Sequence, residues 1–274
     1  MLVKVCNADF SLQWDGMYQF ALENYPQIQE WELEKLAKFI AYEQDHRRQT
    51  IMECKNYKLN IQIHDYLQEH SYFPPYRPSH QLVASTYDIQ KKLVTSDYCS
   101  HTCTVEVAQA IFQTGKLMSA VKVFGKSGAE LVTDSRNAAS DPADYFDYIM
   151  FGWSNTTSGY RLAMERLLGR APSEEELQEK FIPGVSFHFL YEELIQAPDY
   201  MFDGYHVAKV RDRLDLDTFL HLCVIPSKDK SCFEGLIPCQ LQDRVLYLDY
   251  EGEGLQAWNT KVNQVLHGKD KLKE

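Results

Sequence analysis

The 274 residues predict an α+β fold, because helix-forming periods come first and strands and helices then follow without the regular βαβ repeat of a doubly wound sheet. Two segments decide the class. Residues 27 to 46 repeat apolar side chains at helical spacing, with Ile28, Trp31, Leu36, Phe39 and Ile40 towards one side and Glu30, Glu34, Lys38 and Asp45 opposite. VSFHFLY, residues 185 to 191, alternates instead, with Val185, Phe187, Phe189 and Tyr191 facing one way and Ser186 and His188 the other. That is the signature of a strand buried on one face.

Composition narrows the function classes. A 45% apolar share with 24% charged residues is ordinary for a folded domain of this size. The formal charge of −11 and a pI near 5.3 argue against a broad electrostatic grip on a nucleic-acid backbone, which needs clustered Lys and Arg. No window approaches the roughly 18 apolar residues of a membrane span, and MLVKVCNADFSLQW lacks the apolar core of a signal peptide. Seven cysteines at irregular spacings fit a reducing compartment better than a disulfide framework, so the cytoplasm is the expected location and free thiols the expected state.

The elements follow in order. Asp15 as N-cap with Met17, Phe20 and Ala21 at helical spacing predicts a first helix, which Pro26 separates from the long amphipathic one. After a segment containing Leu59, Ile61, Ile63 and Leu67, prolines 74, 75 and 78 exclude an ordinary helix or central strand. The domain boundary is placed there, with a helical N-terminal part over 1–78 and the main domain over 79–274. Leu93 to Tyr98 reads as a strand that delivers His101 and Thr102 to a corner. A helix from Val105 follows, with Ala108, Ile111 and Phe112 on its apolar face, Thr104 as N-cap, Glu106 in the first turn and Gly115 as the stop.

Gly125 and Gly128 in FGKSG lack the full G-x-x-x-x-G-K-[ST] frame of a phosphate loop, so the stretch from there through DSRNAASDPAD reads as a flexible loop. Asp144 to Trp153 reads as a strand ending in the polar corner SNTTSG. Tyr160, Ala163, Met164, Leu167 and Leu168 then form an apolar helical face closed by Gly169. Ser173 and Glu176 have capping-box spacing, which starts another helix ahead of Pro183. His188, on the polar side of its strand, reads as solvated. Strands at Phe219 to Pro226 and Val245 to Tyr250 precede a closing helix with Leu255, Trp258, Val262 and Val265 on one side.

Cys99, His101 and Cys103 form a C-x-H-x-C cluster that invites a zinc-stabilised interaction protein. Tetrahedral sites take a second pair at close spacing, and Cys232 with Cys239 is too loosely spaced to supply it, so no metal site is assigned.

His101-Thr102, the amphipathic helix and Gly-Lys-Leu-Met-Ser-Ala together resemble the first core segment of ADP-ribosyltransferase-like proteins of the DarT kind. In that family a His-Thr or His-Gly-Thr corner precedes a helix with an Ile-x-x-x-Gly-Leu ending. The strand with Tyr148, Trp153 and Ser154 resembles the second core element, where an aromatic and small hydroxyl residues approach the nicotinamide ring. Phe202, Asp203, Gly204 and Ala208 resemble the later Phe-x-Asp-Gly-x-x-Ala pattern, with no residue between Phe202 and Asp203 and three between Gly204 and Ala208. The three matches run in the family's order across about residues 95 to 240.

The resemblance implies a mixed-sheet ADP-ribosyltransferase-like core with an N-terminal helical extension, and NAD as the substrate. It assigns ribose binding to His101 and further NAD contacts to Thr102, Tyr148, Trp153 and Ser154. One element departs from the pattern. The family's late strand carries a glutamate that stabilises the positively charged ribosyl transition state, and Phe219 to Pro226 has no acidic residue. Asp217 and Glu234 are the nearest acids, and Glu234 is taken with His101 as the catalytic pair. Two expectations follow: an enzyme that transfers ADP-ribose to an acceptor that the sequence does not identify or cleaves the NAD glycosidic bond, and, as the alternative, a nucleotide- or partner-binding module of the same fold that has lost the catalytic glutamate.

Overall fold

The computed structural model describes residues 1–8, 12–14, 17–45, 47, 49–70, 97–134, 143–201 and 207–270, and these form an α+β protein in two compact units. The expected boundary at prolines 74, 75 and 78 lies outside the described residues, as do Phe202, Asp203 and Gly204.

The first unit is built on a sheet rather than on helices alone. β1 (Leu2–Cys6), β2 (Leu12–Trp14), β3 (Met17–Ala21), α1 (Glu30–Asp45), β4 (Ile51–Cys54) and α2 (Tyr57–Glu69) follow in sequence. The strand order is β2-β3-β1-β4, with β1 parallel to both β3 and β4 and β2 antiparallel to β3. This corrects the expected first helix. Met17, Phe20 and Ala21 do have helical spacing, but in this five-residue segment it is Tyr18 and Phe20 that are buried, and the period-two pattern wins because β1 and β2 lie on either side.

The long helix α1 forms as expected, and Leu33, Leu36, Ala37 and Phe39 are buried. Trp31 is not part of that stripe. It lies on the far side of the helical wheel from Leu36 and is 54% exposed. Asn56 caps α2, its side chain accepting from the Leu59 N–H at 3.0 Å.

The second unit holds the mixed sheet. β5 (Tyr98–Cys103), α3 (Val105–Thr114), β6 (Lys116–Met118), α4 (Ala120–Phe124) and α5 (Gly128–Val132) open it. A 3-10 turn at Ala143–Asp147, β7 (Tyr148–Trp153), α6 (Ser158–Leu168), α7 (Glu174–Glu179), β8 (Val185–Leu190) and α8 (Tyr191–Leu194) follow. Then come β9 (Ala208–Arg211), β10 (Arg213–Asp215), α9 (Leu216–Phe219), β11 (Leu222–Pro226), 3-10 turns at Ser227–Phe233 and Cys239–Arg244, β12 (Val245–Leu248) and α10 (Gly254–Asp270).

The six-stranded order is β12-β11-β8-β5-β7-β9, parallel only between β11 and β12. Local signals set many of these elements. Gly115 and Gly169 end α3 and α6 in the left-handed region that a glycine enters without strain. The Ser173–Glu176 capping box starts α7. Thr104 occupies the N-cap position of α3 but makes no side-chain cap bond. Where a loop was expected around FGKSG, two short helices form, because Ser127 and Glu130 make a second capping box that starts α5.

Each sheet face is packed. Tyr98 on β5 and Leu222 and Val224 on β11 meet Tyr160 and Met164 of α6 and Trp258, Val262 and Leu266 of α10. On the opposite face Phe187 packs on Phe112 of α3 and Phe151 on Phe189. Helix α6 approaches β5 so closely that a Cβ on Gly159 would fall 2.8 Å from Thr102 Oγ1.

Gly184 is tighter still, with its Cβ position 2.5 Å from the Cys103 carbonyl oxygen and 3.1 Å from Ala163 Cβ. Gly184→Ala is therefore expected to destabilise the fold by about 1–3 kcal/mol, the cost of overpacking against a strand backbone that cannot yield. An unchanged melting temperature for this variant contradicts the packing described.

Candidate functional site

His101 stands in the middle of β5, not at a corner beyond it. Its register partner on β8 is Phe187, and its ring meets Phe151 of β7 edge-on at 6.3 Å between centroids. Nδ1 lies 3.4 Å from the Met150 carbonyl oxygen. A carbonyl can only accept, so Nδ1 carries the ring proton and Nε2 is left as an acceptor. Burial holds the ring well below its ordinary range, at about 4, with the Met150 carbonyl pulling the other way and Arg166 adding to the depression. At neutral pH His101 is an uncharged, half-buried acceptor.

Neighbouring residues of a strand point to opposite faces, so Thr102 cannot share a ligand face with His101. Thr102 lies on the α6 side, buried beneath Gly159. The other expected ligand residues divide in the same way. Antiparallel pairing sets Ser100 opposite Gly152 and Cys99 opposite Trp153, which places Trp153 and Phe151 on the His101 face and Tyr148 on the other. Trp153 is buried and packs on Tyr191 at 5.0 Å between centroids. Tyr148, near the sheet edge, lies under Lys209 Nζ at 4.6 Å from its ring centroid.

Ser154, the first residue past β7, joins a buried chain of hydrogen bonds that the sequence did not reveal. Its hydroxyl lies 2.9 Å from His188 Nδ1, His188 Nε2 lies 2.8 Å from Ser186 Oγ, and Tyr160 OH donates to Ser186 Oγ at 2.8 Å. This corrects the reading of His188 as solvated. The face opposite Phe187 is covered by α6 and α10, and His188 is 0% exposed.

Ser154 and His188 have the spacing of a nucleophile and its base, but their surroundings remove that chemistry. Ser154 is 1% exposed, and burial, with His221 adding to it, holds His188 at about 3. A base that weak takes no proton near neutral pH. The chain is a satisfied polar unit of the core.

The acids do not meet His101. Asp217 is exposed in α9, and Glu234 is exposed directly after the 227–233 turn, within electrostatic reach of Tyr247 on β12. β12 and β5 are three strand spacings apart, about 14 Å. All five residues of β11 are buried, and none is acidic.

Cys99, His101 and Cys103 do share one face, but among the described residues no group of three or more His, Cys, Asp or Glu is arranged to hold a metal ion. All seven cysteines are free thiols, and burial raises Cys103 to about 12 and Cys99 and Cys223 well above the ordinary range, which makes the three unreactive. No described helix is long and apolar enough to cross a membrane.

A groove of about 550 Å³ is lined by Gln178, Glu253, Gln256, Thr260, Lys261 and Gln264, and none of the expected ligand residues borders it. No protein-family model, curated protein or solved structure matches this chain.

Proposed function

We propose that the second unit is a nucleotide-binding module of the ADP-ribosyltransferase-like kind, which binds NAD or a fragment of it and does not cleave the glycosidic bond. The observation that carries this reading is His101 itself. With Nδ1 tied to the Met150 carbonyl and the ring neutral, Nε2 accepts from a donor such as a ribose hydroxyl and gives no support to a phosphate, which would need a proton there. The ordered resemblance from His101 through Trp153 adds the ligand class.

The places of the two expected acids support binding without cleavage. An oxocarbenium-like transition state develops positive charge at the ribose, and a preorganised carboxylate is the group that stabilises it. Here β11 supplies only Leu222, Cys223, Val224, Ile225 and Pro226, and Glu234 lies on an exposed turn. Thr102, Tyr148 and Ser154 serve the other face, and Trp153 and Phe151, though on the His101 side, are buried against Tyr191 and Phe189, so His101 is the residue that the reading rests on.

Incubation of the whole chain with NAD is expected to release no nicotinamide above the protein-free rate, as read by chromatography. Release that depends on protein and falls in Glu234→Gln overturns the non-catalytic reading in favour of transfer or hydrolysis.

A further inference from the structure

We draw no further inference here: the strongest candidate, the shallow groove between helices α1 and α2 lined by Leu33, Lys58, Ile61, Asp65, Tyr66 and Glu69, carries no proposal because nothing in the structure shows what covers it.

Discussion

His188→Ala is expected to lower stability by about 3–5 kcal/mol. The imidazole is the middle link between Ser154 and the Ser186–Tyr160 pair, so its removal leaves the buried Ser154 hydroxyl without this partner, takes one of two hydrogen bonds from Ser186, which keeps Tyr160, and opens a cavity at the centre of the sheet. The orphaned hydroxyl costs about 1–3 kcal/mol and the void adds to that. For a protein of this size the melting temperature falls by roughly 10 °C. A shift of a degree or less in thermal denaturation contradicts the buried chain.

The second large effect is on pH dependence. His101 and His188 are held at about 4 and about 3 in the folded protein, against an ordinary 6.5. When the chain unfolds, each ring regains its ordinary affinity, so the unfolded state binds more protons wherever the pH lies between those values. Stability is therefore complete above about pH 6.5 and falls as the pH drops towards the folded values.

Each group contributes roughly 1.4 kcal/mol per pH unit within the window, so about 3–4 kcal/mol is lost between pH 7 and pH 5. Carboxylates add little in that range. Denaturant midpoints at pH 7, 6 and 5 test the expectation, and His188→Gln should halve the slope while starting from a lower value. A flat profile over that range shows that the two rings are solvated.

Much of the second unit was legible because its signals are local. The glycine stops at Gly115 and Gly169 and the Ser173–Glu176 box act within a turn of the residues that they organise, and the helices begin and end where those residues predict. The first sheet was not legible for the opposite reason. β1 and β4 are short and pair across 49 residue positions, with Leu2 opposite Ile51, so no local period announces the partnership.

The site divides in the same way. Strand alternation alone separates His101 from Thr102, and that separation was open to inspection in the sequence. The burial of His188 was not, because its apparent polar face is closed by Tyr160 and Trp258, helix residues distant in sequence from β8. Polar alternation tells which side chains share a face; it does not tell whether water or another element covers that face.

The proposed function rests on one ring, so the most direct test is calorimetric titration of NAD into the native protein and into His101→Ala, with thermal melts of both. NAD is expected to bind the native protein, and the variant to bind about 5- to 150-fold more weakly, the loss of one hydrogen bond of about 1–3 kcal/mol with its partner left unsatisfied. The ligand-free variant is expected to melt somewhat lower, since the ring packs on Phe151, so the affinities are compared at a temperature where both proteins are folded. No heat and no thermal shift at millimolar NAD, or a variant that loses stability while keeping full affinity, contradicts the account and returns His101 to the role of a packed strand residue.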